Sequence, residues 1–180
     1  MRIIDISQEL LSCAVYPGDS APSAKRVKTV KEDKYNLTEL SMCVHNGTHI
    51  DAPLHFLDGG KAINELQVEI FYGKCTVTDD SEPFSDVLKR CGERLLLKGA
   101  KEFSVLEIEA LAQAGVHLIG IESQTIGDMD VHIAALSAGI VPLEGLRLAE
   151  VPPGEYTLCA FPINIAGSDG APVRAVLMDG

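Results

Sequence analysis

The chain lacks several things at once. It has no run of 18 apolar residues, which excludes a membrane-spanning helix. It has no C-x-x-C, and its five cysteines (Cys13, Cys43, Cys75, Cys91 and Cys159) are odd in number and widely spaced. Neither a disulfide framework nor a thiolate zinc site is expected from that pattern. Basic residues are few: 15 Lys and Arg stand against 26 Asp and Glu, a net charge of -11. The basic pairs Lys25-Arg26 and Lys89-Arg90 are too short to form a stripe along phosphates, so a nucleic-acid-coating protein is excluded. Repeats, low-complexity tracts and linker-like stretches are also missing, which leaves residues 1–180 as one expected domain. The opening Met1-Arg2-Ile3-Ile4-Asp5 has an early acid and no long apolar stretch, so no signal peptide is read there and the cytoplasm is the expected location.

What is present suits a globular protein. Hydrophobic residues make up 46% of the 180 and charged residues 23%, within the ordinary range. A folded monomer of this mass exposes roughly 8,500 Å² and buries about 70% of its unfolded surface, enough for a core without disulfides.

Apolar spacing predicts short strands and helices in alternation. Strands are expected at Ile3–Ile6, around Thr76-Val77-Thr78, at Leu95–Leu97, Val116–Ile121, Ile140–Leu143, Tyr156–Phe161 and Val173–Met178. Leu40, Met42 and Val44 alternate with Ser41 and Cys43, the period of a half-buried strand. Helices are expected after Ser81, with Pro83 in the first turn; after Ser104, where Glu107 completes a capping box; and from Asp130 through Leu136, with Gly139 beyond its end. Interleaved strands and helices indicate an α/β fold. The helix-free region before Cys43 indicates that part of the sheet is antiparallel or mixed.

The chemistry concentrates in His45-Asn46-Gly47-Thr48-His49-Ile50-Asp51-Ala52-Pro53-Leu54-His55-Phe56, which holds three of the five histidines. His45, His49, Asp51 and His55 share parity, so an extended chain would project all four to one side and send Val44, Ile50 and Leu54 to the other. A straight strand would place the α-carbons of His45 and His49 about 13 Å apart, too far for an easy shared ligand. Gly47 lies midway and tolerates φ > 0, so a bent segment is expected. Imidazole and carboxylate are the ordinary ligands of a hydrolytic zinc or manganese ion, which supplies hydroxide near neutral pH. His55, beyond the stiff Pro53, could stay free as an acid/base. Outside this segment, His132 on a helix and Glu144 on the strand that follows Gly139 could serve a second metal. His117 reads as a structural residue. Cys43 beside His45 offers a weaker alternative, a thiol nucleophile.

The segment His45-x-Gly47-Thr48-His49-x-Asp51-x-Pro53-x-His55-Phe56 closely resembles the signature of the metal-dependent cyclase/hydrolase family that includes bacterial kynurenine formamidase and isatin hydrolase. Tyr16-Pro17-Gly18-Asp19, Gly120-Ile121-Glu122-Ser123, the spacing from His132 to Glu144, and Gly167-Ser168-Asp169-Gly170-Ala171-Pro172-Val173-Arg174 extend the resemblance over most of the chain. It implies a swivelling β/β/α fold with mixed sheet and flanking helices, two divalent ions (zinc first, manganese second) and a homodimer or higher homo-oligomer. His45, His49 and Asp51 would hold the first ion. Asp51, His132 and Glu144 would hold the second, with Asp51 bridging. His55 would be the acid/base and Tyr16 would line the substrate pocket. The implied activity is hydrolysis of a small amide, first an N-formyl arylamine such as N-formylkynurenine, by a hydroxide generated on the metal. The alternatives are a cyclic-amide or lactone hydrolase or cyclase, and a non-catalytic metal-binding protein. Three departures from the family pattern are expected to reshape the pocket: Tyr16 in place of Trp, Glu122 in place of Asp, and Lys98-Gly99 in place of Arg-Thr-Gly.

Overall fold

The computed structural model describes residues 1–79, 81–99 and 101–179. In chain order its elements are β1 (Arg2–Asp5), β2 (Ser23–Lys28), the single turn α1 (Val30–Asp33), β3 (Leu37–Ser41), β4 (His49–Asp51), β5 (Tyr72–Thr78), α2 (Phe84–Arg90), β6 (Arg94–Leu97), α3 (Val105–Gln113), β7 (Leu118–Ile121), α4 (Met129–Ser137), β8 (Val141–Glu144), β9 (Gly154–Cys159), β10 (Gly170–Pro172) and β11 (Val176–Asp179).

Nine of the strands form one mixed sheet in the order β1-β11-β9-β5-β6-β7-β8-β4-β10. The middle four, β5 to β8, run parallel, joined through α2, α3 and α4, as parallel neighbours require a crossover. The flanking strands pair antiparallel on both sides. Leu95-Leu96-Leu97 shows how the sheet is buried. Leu95 and Leu97 join the core under the helices with Ile108, Leu111, Ile119 and Ile121. Leu96 faces the other way, into a core with Ile50, Phe71, Leu143, Leu158 and Leu177. A strand buried on both faces needs an unbroken apolar run, and that is what the triplet supplies. Each such side chain stabilises the fold by about 1.5–3 kcal/mol relative to exposure.

Several expectations shift by a residue or more. The capping box holds: the Ser104 hydroxyl accepts from Glu107 N–H, and Glu107 accepts from Ser104 N–H. α4 begins earlier than expected, because Asp128 rather than Asp130 caps it, accepting from Val131 N–H at 3.1 Å. Ser81 does not open α2; its hydroxyl bonds Asp79 and Pro83 takes the cap position. Glu144 closes β8, on the strand where it was expected.

The half-buried strand expected around Leu40–Val44 is corrected most. Among the described residues β3 pairs with β2 alone, in a separate two-stranded ribbon, and every residue of β3 is exposed. The alternation is real, but none of the described elements covers the apolar side. Val30, Tyr35, Leu37 and Leu40 remain exposed along the ribbon. His117 precedes β7 and is exposed, so it is not a core residue.

Candidate metal centre

The ladder register brings the site together. β4 is only three residues long, and His49 pairs opposite Glu144 of β8 while Ile50 pairs opposite Leu143. His49 and Glu144 therefore share one face with Asp51, and Ile50 turns into the opposite core. On the other edge of β4, Gly170 of β10 stands opposite Asp51.

The straight-strand reading of residues 45–55 gives way to a kinked one. Residues 44–48 form a turn in which Gly47 adopts φ 69, folding His45 back until its Nδ1 lies 2.9 Å from Asp51 Oδ1. Asn46 and Thr48 fix that turn. Asn46 Oδ1 accepts from Cys43 N–H, and the Thr48 hydroxyl donates to Gly145 O at 2.7 Å. Pro53 then opens a 3-10 turn through His55, so His55 reaches the site from a helix-like segment. His45 and His55 stack with ring centroids 4.0 Å apart. α4 delivers His132, whose Nε2 is 3.1 Å from Glu144 Oε1 and 3.7 Å from Asp51 Oδ2.

The two most buried rings are oriented from behind. His49 Nδ1 donates to Gly47 O at 3.0 Å, and His132 Nδ1 donates to Asp128 O at 2.8 Å. With those protons committed, a neutral ring presents the bare Nε2 to carboxylate oxygens. For His49 these are Glu144 Oε2 at 3.3 Å and Asp51 Oδ1 at 3.5 Å. Lone pairs facing lone pairs repel unless a positive charge lies between them. Backbone carbonyls fixing the tautomer from behind are the usual support of metal-binding histidine, and donor atoms sharing one cation stand about 3.0–3.5 Å apart. Two groups, His45–Asp51–His55 and His49–Asp51–Glu144, each bring their ligand atoms within 4.8 Å of one another. These buried clusters could hold a metal, and the residues fit one.

A proton held on the ring supplies that positive charge just as a cation would, and the surrounding carboxylates favour it. Burial opposes ionisation throughout, and the opposite charges outweigh it. His45 is raised to about 9 by Asp51 and Asp169. His49 and His132 are raised above the usual imidazole value by Glu144 and Asp51. Asp51 is held below the usual carboxylate value by His45, His49 and His55.

Beside the cluster lies a cavity of about 510 Å³ lined by Tyr16, Asp19, Phe56, Gln124, Thr125, Gly127, Asp128 and Met129 as well as the polar groups. Every expected site residue (His45, His49, Asp51, His55, His132, Glu144 and Tyr16) lines it, and Cys43 does not. Tyr16 sits in the Tyr16–Asp19 turn and is half exposed. Glu122 and Lys98-Gly99 do not line the cavity. Glu122 accepts from Gly99 and Leu148 N–H groups, and Lys98 donates to the Ala149 and Val151 carbonyls, so these residues tie loops together.

Residues without an assigned role in the sequence reading also enter. Asp169 Oδ2 accepts from both His45 Nε2 and His55 Nδ1; the Gly-x-Asp-Gly stretch was its only signal. Phe56 lies against His132, with ring centroids 4.7 Å apart. Gln124 presents a buried amide with neither polar atom partnered among the described residues, and nothing in the sequence marked it.

Comparison with known proteins follows the same lines. The Cyclase family model matches residues 4–118. Kynurenine formamidase of Salinibacter ruber is 37% identical over 208 residues, covering 99% of this chain and 98% of that protein. A solved structure named as a predicted metal-dependent hydrolase from Bacillus stearothermophilus is 26% identical, with TM-score 0.80 over 98% of this chain and 97% of its own. Isatin hydrolase A from Labrenzia aggregata shares the fold, with TM-score 0.81 at 19% identity over 98% of this chain and 93% of its own. On sequence and on fold together, this chain belongs to the Cyclase family.

Proposed function

We propose that the chain is a metal-dependent hydrolase of a small non-peptide amide, acting first on N-formyl arylamines. One observation carries the reading. Two buried histidines, held by backbone carbonyls at Nδ1, turn Nε2 toward two buried carboxylates in the wall of a cavity. The full-length similarity to a kynurenine formamidase supports the substrate class.

His45, His49, Asp51, His132 and Glu144 are the proposed ligands of two divalent ions, zinc first and manganese second. Asp51 suits a bridge, because Oδ1 faces His45 and His49 while Oδ2 faces His132. Such ions, when bound, polarise a carbonyl and lower the pKa of water. The remaining work falls to the chain. His55, protonated at Nδ1 toward Asp169, has its Nε2 lone pair to take a proton from water and return it to the departing nitrogen. Tyr16, Phe56 and Met129 supply apolar wall for an aryl group and displace water from it. The same machinery serves a cyclic amide or lactone, whose leaving group stays tethered. The comparison with the Salinibacter protein spans 208 positions against 180 residues here, so that relative carries segments this chain lacks.

The 180 residues are read as one domain, since one sheet separates and joins both cores. A reducing cytoplasm suits five free thiols. The exposed β2–β3 ribbon suits a homodimer. The chain exposes 9474 Å², about a thousand more than a monomer of this mass.

A panel of N-formylkynurenine, isatin-type lactams and simple lactones, assayed with zinc and with manganese, tests the reading. Fastest turnover of the formyl-anilide is expected. Turnover of the lactam alone moves the assignment to the cyclic amides, and failure on all members with metal loaded overturns it.

A further inference from the structure

We infer that Asp169 is a positioning residue that sets the tautomers of two site histidines with one oxygen. The inference rests on the hydrolase reading above. Asp169 Oδ2 lies 2.9 Å from His45 Nε2 and 3.0 Å from His55 Nδ1. An ionised carboxylate only accepts hydrogen bonds, so both nitrogens facing it carry protons. On neutral rings, the lone pairs then fall on His45 Nδ1 and His55 Nε2.

Both consequences matter. His45 Nδ1 is the nitrogen that faces Asp51 Oδ1 at 2.9 Å, so the protonation that Asp169 imposes leaves the metal-facing atom bare. Among the described residues His55 Nε2 has no hydrogen-bond partner, and its ring lines the cavity, so Asp169 leaves the base nitrogen open. A free histidine side chain prefers its proton on Nε2, the wrong place for this base. The carboxylate at Nδ1 reverses that preference, the role of the orienting acid in a catalytic triad. Here one acid orients two rings with different duties, and their stacking at 4.0 Å keeps both within its reach.

The position is built for this. Asp169 O accepts from Ala52 N–H at 2.8 Å, and Ser168 O accepts from Ile63 N–H at 2.9 Å. The neighbouring Gly170 is in register with Asp51. The main chain is thus fastened to the strand that carries the bridging acid, independently of the Asp169 side chain, which is 43% exposed. Replacing that side chain removes the acceptor and leaves the fastening.

The test uses full-length Asp169→Ala, with Asp169→Asn as the volume-conserving variant should the first fail to fold. His55→Ala is the reference. Long-range nitrogen–proton correlation spectra of histidine-labelled, zinc-loaded protein report the tautomers directly. The wild type is expected to show His55 protonated at Nδ1 and the variant to show the proton on Nε2. With metal saturating, kcat is expected to fall by roughly 10²–10⁴, the range of general acid–base catalysis, while KM stays within about threefold. Metal affinity is expected to weaken by about 10–100-fold, as for loss of a group that supports a ligand. If His55 keeps its Nδ1 proton in the variant, or the loaded variant keeps kcat within threefold of wild type while His55→Ala is inactive, the inference is overturned. If wild type itself turns over none of the substrate panel, the hydrolase reading fails instead, and the tautomer spectra still decide the role of Asp169.

Discussion

Glu144 stands opposite His49 across the β4–β8 ladder and divides its two oxygens between duties. Oε1 accepts from Ile126 N–H at 2.7 Å and lies 3.1 Å from His132 Nε2, while Oε2 lies 3.3 Å from His49 Nε2. Glu144→Gln keeps an oxygen for Ile126 but removes the negative charge between two imidazoles. The fold is expected to persist and metal affinity to fall by about 100-fold or more, beyond the loss of a supporting group. Competition with a chromophoric chelator measures this. Affinity within threefold of wild type would remove Glu144 from the ligand set.

Gly170 makes room for His45. A β-carbon at Gly170 would lie 2.6 Å from His45 Cε1 and 2.7 Å from Ile50 O. Gly170→Ala therefore has to push the imidazole and the β4 backbone away, and overpacking of this kind costs about 1–3 kcal/mol. The melting temperature is expected to drop and metal binding to weaken together. An alanine variant with wild-type melting and metal content would show that the ring does not need this space.

Glu107 ties acid stability to the α3 cap. Burial pushes its carboxyl up, but hydrogen bonds from Lys101 and Ser104 outweigh that and hold it below the usual carboxylate value. A group with a lowered folded pKa contributes stability above its unfolded pKa and loses it as pH falls through the folded value. Ser104→Ala, which removes the hydroxyl cap, is expected to cost about 1 kcal/mol near neutral pH, with the gap from wild type narrowing as Glu107 protonates. Urea unfolding across that range measures the gap. A gap that widens toward acid would contradict the capping account.

Cys75 is shielded. Burial, reinforced by Glu155, pushes its thiol up to about 12, and the thiolate is the reactive form. Cys75 is expected to escape alkylation by iodoacetamide in the native protein and to be modified fully in urea. Mapping the adducts by mass spectrometry decides this, and native labelling of Cys75 would contradict the packing around β5.

Much of the site was legible because its chemistry is local. His45, His49, Asp51 and His55 lie within eleven residues, and Gly47 announced the bend. Period-2 alternation correctly places Ile50 opposite His49 and Asp51, but it fails at His45 and His55. Those residues reach the site through a turn and a 3-10 segment, where parity no longer reports direction. Asp169 reaches His45 from 124 positions away, a relation that only the β4–β10 register creates. The exposed β3 shows the other limit. Its alternation reports an apolar side correctly, but local pattern does not say whether the same chain covers it. The Ser104–Glu107 box reads correctly, but the α4 cap is misplaced by two residues because Asp128 and Asp130 are both good caps, and Asp128 takes the position.

The polar groups around Asp51 are arranged to hold divalent metal. Elemental analysis of chelator-stripped protein, reloaded with zinc and desalted, tests this most directly, with Asp51→Ala treated in parallel. About two ions per chain, as in two-metal hydrolases, are expected in the wild type, with neither retained by the variant. A folded wild type that retains no zinc, or an Asp51→Ala protein that retains as much, would contradict the account.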